Sequence, residues 1–207
     1  MRPIGSPNPG TTGRVPLFLV TGVSQRDDEP TGVDPTTALA LRARRGDPAA
    51  QAAFVRATQA EVWRFTAALI DPGSADDLTQ DTYLRAFAAL PGFEARSSVR
   101  TWLLGIARRV CADHLRAVVR RRRLDARLAV QAYTTPPHPD PAHRLGAADL
   151  LDRLSDERRT AFVLTQVLGL SYAEAATVED VPVGTIRSRV ARARDDLVTA
   201  LARAEAG

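Results

Sequence analysis

The sequence predicts an all-α fold made of two small helical domains joined by a flexible linker. Two separate blocks carry apolar residues at helical spacing, and neither block shows the alternation typical of strands. A Pro-rich stretch between the blocks has no core-forming pattern. The 207 residues suffice for two small domains with modest cores. We therefore place the first domain at residues 34–119, the linker at 120–143 and the second domain at 144–204.

Residues 1–33 are rich in Pro, Gly, Thr and Ser and show no sustained apolar period. This composition predicts a disordered leader, or an extension from a start codon upstream of the one used in the cell. Its longest apolar stretch, Val15–Val20, is interrupted by Pro16 and is far too short to span a bilayer. Because no signal-peptide cleavage site follows, we expect neither secretion nor membrane insertion.

The composition points to a basic intracellular protein. The formal net charge is +4. The chain contains Arg but no Lys, a bias that a high-GC bacterial genome produces. Cys111 is the only cysteine, which excludes an intramolecular disulfide and a thiolate zinc site and fits a reducing cytoplasm. A dense Arg run predicts a nucleic-acid or anionic-surface patch, with a solvated helix end as the alternative. Its members are Arg116, Arg120, Arg121, Arg122, Arg123 and Arg127.

The first domain opens with Asp34 and Pro35, an N-cap residue followed by a first-turn proline. Apolar residues then recur at intervals of 3, 4, 3 and 4, which predicts a long amphipathic helix. This helix should end before Asp71. These residues are Val55, Thr58, Val62, Phe65 and Leu69.

A third helix should run from a Ser74–Asp77 capping signal to about Leu90, where Pro91-Gly92 stops it. The polar loop Phe93–Ser98 then leads into a long helix with two distinct sides. One side carries Leu103, Ala107, Val110, His114 and Ala117, and the other carries Arg109, Asp113, Arg116 and Arg120.

The strongest local signal is a helix-turn-helix in the second domain. Ser155 caps a helix that Gly169 closes, and Ser171 with Glu174 forms a capping box for the next helix. After a short turn, apolar residues repeat at 4, 3 and 4 along a further helix: Ile186, Val190, Ala193 and Leu197. Its opposite face carries Arg187, Ser188, Ala191 and Arg192. Because a recognition helix meets base edges through its first turns, this pattern predicts a DNA-reading helix, with a solvated Arg-rich helix as the alternative.

The stretch Gly169–Arg194 closely resembles region 4 of extracytoplasmic-function (ECF) sigma factors, promoter-recognition subunits of bacterial RNA polymerase. The resemblance implies contact with the polymerase flap and reading of the promoter's -35 element. The chain departs from the family at residues 177–180, where an apolar pair and a glycine are usual. Asp180 tolerates a left-handed backbone, so we expect the turn to survive. The implied -35 residues are Thr185, Arg187, Ser188 and Arg192.

Residues 76–87 resemble the region 2 helix that grips a coiled coil of the polymerase's largest subunit. From the charge pattern alone, a solvated face is the simpler interpretation. The resemblance implies binding of polymerase core by Asp77, Gln80, Asp81, Leu84 and Arg85.

Residues 101–116 resemble the family's -10-reading helix, and the loop Phe93–Ser98 lies where the family captures a flipped base. Trp102 is expected in the core rather than stacked on DNA. The resemblance implies -10 contacts by Phe93, Arg96, Ser97, Ser98, Arg108, Arg109 and Arg116.

Together these observations predict a cytoplasmic sigma factor that binds polymerase core, recognises -35 and -10 elements and helps open the duplex. We expect no enzymatic activity, cofactor or metal, because no nucleophile elbow, phosphate loop or zinc motif occurs. The partners implied are core polymerase, promoter DNA and, where one exists, an anti-sigma protein. A stand-alone helix-turn-helix regulator is the main alternative, and a nucleic-acid enzyme is a distant third. We also expect the two domains to pack together in the free protein and hide its DNA-binding surfaces.

Overall fold

A computed structural model of the chain describes residues 34–129 and 147–205. These two ranges form α-helices joined by short turns, and neither contains a strand. The first domain comprises α1 (Pro35–Ala43), α2 (Pro48–Leu69), α3 (Ala75–Ala89) and α4 (Val99–Ala129), with a short 3₁₀ turn at Leu90–Gly92. The second comprises α5 (Ala147–Asp152), α6 (Asp156–Phe162), α7 (Tyr172–Glu179) and α8 (Val183–Glu205).

Aspartate caps fix the starts of the first two helices. The Asp34 carboxylate accepts hydrogen bonds from the backbone N–H groups of Thr36 and Thr37 at 3.0 and 2.9 Å. Asp47 caps α2 in the same way, directly before Pro48. The start predicted from Asp34 and Pro35 is therefore confirmed, because each carboxylate satisfies N–H groups that have no partner within the helix.

The helix α3 starts where predicted but with a different cap. Ser74 makes no capping bond; its hydroxyl donates to Asp71 Oδ2 at 2.9 Å and its backbone N–H donates to Oδ1 at 2.8 Å. These bonds, the hydroxyl bond foremost, hold the pKa of Asp71 below its usual value. Because Asp71 accepts both bonds across the turn at Pro72-Gly73, the Ser74 hydroxyl is not available to cap α3.

The helix α4 continues ten residues beyond the predicted domain end at Val119. Arg is a good helix former, so Arg120–Arg123 extends the helix instead of opening a semi-extended linker. The side chains of residues 119–125 are all exposed. The predicted leader, residues 1–33, and the remainder of the predicted linker, residues 130–143, lie outside the described residues.

The second domain follows its capping signals. Helix α6 passes into a π-helical segment, Val163–Val167, and ends at Gly169, whose φ is +71°. The predicted box at the start of α7 is present: Ser171 Oγ accepts from the Glu174 N–H at 3.2 Å, and Glu174 accepts from the Ser171 N–H at 2.8 Å. Asp180 ends α7 in the left-handed conformation that the sequence predicted.

One apolar core runs through both domains. Phe54, Phe65 and Leu103 of the first domain belong to the same buried cluster as Leu164 and Ile186 of the second. Helix α4 packs against α7, and α2 packs against the segment Val163–Val167. The expected packing of the two domains against each other is therefore confirmed.

Candidate protein and nucleic-acid interfaces

A groove of about 460 Å³ lies between α2 and α3. Two of the predicted polymerase-binding residues, Gln80 and Leu84, line it, and Leu84 is 65% exposed. Across the groove Trp63 is 37% exposed, and its indole N–H donates to Asp76 Oδ1 at 2.8 Å. Exposed apolar side chains within a polar rim are typical of protein-binding surfaces. The remaining lining residues are Val55, Gln59, Thr79, Tyr83 and Phe87.

The other predicted polymerase-binding residues, Asp77, Asp81 and Arg85, do not line this groove. Arg85 donates to Asp81 Oδ2 at 2.9 Å and to Asp113 Oδ2 of α4 at 2.6 Å. The hydrogen bond from Arg85 is the main reason that the pKa of Asp113 is lowered. The single predicted stripe is thus divided into an apolar groove and a charged flank.

Trp63 is a groove residue that the sequence analysis missed. It lies on α2 away from the apolar face of Thr58, Val62 and Phe65. An aromatic residue on the outer side of an amphipathic helix, among polar neighbours, was the available signal.

The loop Phe93–Ser98 is anchored by its first residue. Phe93 is 4% exposed, its ring centroid lies 4.9 Å from that of Trp102, and its carbonyl accepts from Arg44 Nη1 at 2.6 Å. The expectation that Phe93 contacts DNA needs correction, because its ring is buried against the core. Trp102 is partly buried there, as expected.

Beyond Phe93, the loop exposes two charged side chains, Glu94 and Arg96. Arg96 is 86% exposed and pairs with Glu94 at 2.5 Å. Ser98 Oγ accepts from the Thr101 N–H at 3.2 Å at the start of α4. Ala95 has a φ of +53°, a left-handed conformation that costs a non-glycine residue roughly 1–2 kcal/mol. Such strain is common in loops that are shaped for binding.

The three arginines predicted to support the -10 strand have different surroundings. Arg109 and Arg116 are exposed, and Arg116 donates to Asp113 Oδ1 at 2.5 Å. Arg108 is half-buried and close enough to Glu179 of the second domain to stabilise its charge. Of the three, only Arg108 is engaged by the domain contact.

The outer face of α8 carries the predicted -35 residues. Arg187, Ser188 and Arg192 are exposed and Thr185 is half-buried, with Ser188 Oγ donating to the Thr185 carbonyl at 2.9 Å. Other arginines of this helix are held within the protein: Arg189 by Glu179 and Arg194 by Gln166. Within residues 34–129 and 147–205, no recorded ion pair or hydrogen bond engages the side chains of Arg187 and Arg192.

Polar contacts cross the boundary between the domains. Arg100 pairs with Glu61 and also donates to the Leu168 carbonyl at 2.5 Å, while Arg159 Nη1 donates to the Leu69 carbonyl at 3.2 Å. The packing places α4, where Arg108 is half-buried, against α7 but leaves the outer face of α8 exposed. The expected hiding of the DNA-binding surfaces therefore applies to part of α4 and is wrong for the -35 face.

Glu179 is a buried carboxylate at this boundary. Its side chain is 1% exposed, Oε2 accepts from Arg189, and Oε1 has no partner among the described residues. Burial raises the pKa of Glu179, although Arg189 and Arg108 act to lower it. The burial penalty on the charged carboxylate therefore exceeds the attraction of the two arginines.

We expect Glu179→Gln to raise the free energy of unfolding at pH 7 by about 1 kcal/mol, because it removes a buried, partly unpaired charge. A carboxylate whose pKa is raised by folding destabilises the native state above its folded pKa. This penalty vanishes as the pH falls below the unfolded value of about 4.5. Urea unfolding should thus separate variant from wild type at pH 7 but not at pH 4. A less stable variant at pH 7 would show that the pair with Arg189 matters more than burial.

Other types of site lack support among the described residues. No group of three or more His, Cys, Asp or Glu side chains there is placed to hold a metal ion. Cys111 is buried, which raises the pKa of its thiol to about 12 and keeps it protonated. None of the described helices combines the length and apolarity needed to cross a bilayer.

Comparisons with known proteins agree with this division into two regions. Residues 54–122 match Sigma-70 region 2, and residues 145–197 match Sigma-70, region 4. The ECF RNA polymerase sigma factor SigC of Mycobacterium tuberculosis is 54% identical over 170 residues, covering 78% of this chain and 89% of the relative. The RNA polymerase sigma-H factor of Pseudomonas aeruginosa is 32% identical over 179 residues, covering 79% and 92%.

Solved structures show the same relationship. CnrH, in complex with the cytosolic domain of CnrY, matches with a TM-score of 0.63 and 25% identity, over 82% of this chain and 99% of that one. The sigma factor RpoE of Bartonella quintana, in complex with the anti-sigma factor NepR, matches with a TM-score of 0.55 and 29% identity, over 71% and 93%. Both matched regions, and the identity to named relatives along most of its length, show that this chain belongs to the ECF RNA polymerase sigma factors.

Proposed function

We propose that this sigma factor binds polymerase core through the α2–α3 groove and directs it to promoters whose -10 and -35 elements it reads with different domains. It is not an enzyme; it supplies binding and orientation. The observation that carries this proposal is the presence in one chain of two unlike surfaces. One is the apolar groove at Leu84 and Trp63, and the other is the α8 face with unengaged Arg187 and Arg192. A stand-alone DNA-binding regulator needs only the second.

For the polymerase interface, we assign the central contact to the groove residues Gln80 and Leu84, with Trp63 opposite. Leu84 projects into solvent, where a partner helix could cover it. Asp77, Asp81 and Arg85 form the charged flank beside the groove. Flanking charges of this kind orient a partner and raise the rate of association more than they raise affinity.

For the -10 element, we assign the flipped base to Arg96 and Ser97, with Phe93 as the buried anchor of their loop and Ser98 as the cap of α4. Capturing an unstacked base would help to open the duplex, because the captured base no longer pairs. Arg108, Arg109 and Arg116 would bind the phosphates of the same strand. Separation of α4 from α7 would increase the exposure of Arg108, which is half-buried in the packed arrangement.

Two further assignments follow from the family. Since core polymerase and promoter DNA are in the bacterial cytoplasm, we propose that the protein acts there. RpoE is bound to the anti-sigma factor NepR in its solved complex, so we propose that a protein inhibitor of this class is a further partner of this chain.

Selection of DNA from a random duplex library tests the proposed function. Complexed with polymerase core, the protein should select two motifs separated by a constant spacer of more than one helical turn. Without core, it should select them poorly. Equal selection of a single motif with and without core would instead support a stand-alone regulator.

We expect Arg187→Ala and Arg192→Ala each to cost about 1–3 kcal/mol at the selected -35 element, if the lost contact is bidentate to a base. Arg194→Ala is the matched control, because it removes the same side chain from the same helix at a position held by Gln166. Competition binding with single-base variants of the -35 element measures the loss. If both test variants bind every sequence equally less well, the contacts are to phosphate and the assignment of base reading is wrong.

A further inference from the structure

An open cavity of about 470 Å³ lies where α2 meets α5 and the π-helical segment Val163–Val167. Its volume falls in the range of ligand-binding pockets, roughly 300–1,000 Å³. Both domains contribute to its mainly apolar lining, the first domain through Trp63, Ala68 and Ile70 and the second through Leu151 and Val167. Trp63 and Val167 are each 37% exposed. Exposed apolar side chains grouped around a cavity indicate a surface that binds another apolar group.

The rim of the cavity carries charges of both signs. Arg64, Asp71 and Asp152 are exposed there. Asp152 pairs with Arg159 at 2.9 Å, and Arg64 Nε donates to the Ala60 carbonyl at 3.2 Å. Binding surfaces commonly combine an apolar centre with a polar rim. An occupant should therefore be apolar in its centre and charged at its ends.

One segment of this chain has that pattern. The apolar run Val15–Val20, which precedes α1, has no part in the proposed function. Arg14 comes directly before the run, and an acidic cluster at residues 27–29 follows it. Pro16 restricts the backbone, which lowers the entropy lost when the run is ordered. The run therefore matches the cavity in apolar character and the rim in charge.

The start of α1 lies close to the cavity. Thr37, in the first turn of α1, accepts a hydrogen bond from the Val99 N–H at 2.8 Å. The next residue, Arg100, donates to the Leu168 carbonyl at 2.5 Å. Val167, the neighbour of Leu168, lines the cavity. Two hydrogen bonds and one arginine side chain thus connect the first turn of α1 with the cavity.

The segment between the apolar run and α1 is long enough to cover this path. Its thirteen residues, 21–33, extend to about 43 Å. A tether of this kind holds the run at a local concentration of about 1 mM, so even a weak contact is substantially populated. We propose that residues 15–20 dock in the cavity of the free protein and bridge its two domains. The contact is intramolecular and needs neither polymerase nor DNA, so it goes beyond the proposed function.

Trp63 can report on this docking because it lines the cavity. Trp102→Phe leaves Trp63 as the only tryptophan in the full chain of 207 residues. In this background, Leu17→Asp with Phe18→Asp places two charges in the apolar run. Acrylamide quenching of the fluorescence measures how accessible Trp63 is. The leader variant should raise the quenching constant about twofold and shift the emission to longer wavelength, because a substantially populated contact is lost.

The matched control is Thr11→Asp with Thr12→Asp, which adds the same charge outside the apolar run. It should leave the quenching of Trp63 unchanged.

A second variant alters the cavity instead of the run. Val167→Glu changes an exposed side chain, so the fold should tolerate it, and circular dichroism checks that it does. Placed in the Val167→Glu protein, Leu17→Asp with Phe18→Asp should cause no further rise in quenching. This non-additivity is expected because both changes remove the same contact.

Equal quenching in the leader variant and its background would overturn the proposal, because the run would then not shield Trp63. Equal rises in the leader variant and its control would also overturn it, since added charge would explain them. A full rise that persists beside Val167→Glu would place the run outside the cavity. Quenching that varies with protein concentration would show docking between copies and contradict an intramolecular contact. Each of these failures would leave the proposed function standing, because none involves polymerase core.

Discussion

Leu84→Arg should weaken binding to polymerase core by at least 2 kcal/mol, about 30-fold, and leave the fold intact. Leu84 lies in the α2–α3 groove but is 65% exposed, so the free protein loses almost no packing when it is replaced. In the complex, an arginine there would place a charge against the apolar part of the groove opposite Trp63. Asp81→Arg, on the charged flank, should weaken binding less and mainly slow association.

Val198→Arg is the matched control for this prediction. Val198 is 66% exposed on α8, far along the helix from the recognition turns, so the two variants add the same charge at equally exposed apolar positions. Titration of labelled core with each variant measures affinity, and circular dichroism checks that both remain folded. Affinity unchanged by Leu84→Arg, or reduced equally by both variants, would refute the assignment of the groove to polymerase.

Arg100→Glu should open the contact between the domains. The change removes a charged hydrogen bond to the Leu168 carbonyl, of a kind that contributes about 1.5–3 kcal/mol, and places a second carboxylate beside Glu61. A shift of this size moves the equilibrium between packed and separated domains roughly 10- to 150-fold. Helix α4 should tolerate the change locally, because Glu is favoured in the first turn of a helix.

Two measurements check this prediction. Small-angle scattering should show a larger radius of gyration for Arg100→Glu than for wild type. The affinity of the variant for single-stranded -10 DNA should rise, because separation of the domains exposes more of Arg108, which is half-buried in the packed protein. Arg56→Glu, the same charge change at an exposed position on α2, should leave both quantities unchanged. If Arg100→Glu opens the protein but DNA affinity stays constant, the domain contact does not restrict -10 binding.

Local sequence signals predicted the helices well because those signals act over one turn. The Asp34 cap, the Ser171–Glu174 box and the left-handed Asp180 each depend on neighbours within four residues. The buried face of α8 followed from spacing alone for the same reason, and Ile186 and Val190 are buried as expected.

Contacts between distant segments were harder to predict. Phe93 begins a loop of charged and hydroxyl residues, so its neighbours in sequence predict a position at the surface. Its contacts with Arg44 and Trp102 instead hold it in the core. Trp63 became a candidate only when α3 was placed beside it. The burial of Glu179 against Arg189 likewise depends on tertiary structure, because the packing of α7 and α8 creates it.

The extension of α4 shows a different limit. The Arg run suggested a linker because it lacks core residues, but helix continuation needs only favourable backbone propensity once a helix has been nucleated. To tell a solvated helix from a linker in this stretch, one must know that α4 is already formed upstream of it.

Transcription by purified core polymerase, with and without this protein, tests the central claim most directly. The template carries the -35 and -10 elements selected by the holoenzyme. The account predicts a transcript from one start site at a fixed distance from the -10 element, which requires both protein and core and disappears when either element is exchanged. A protein that binds the -35 element alone yet leaves core unable to initiate there would contradict the account and favour a stand-alone regulator.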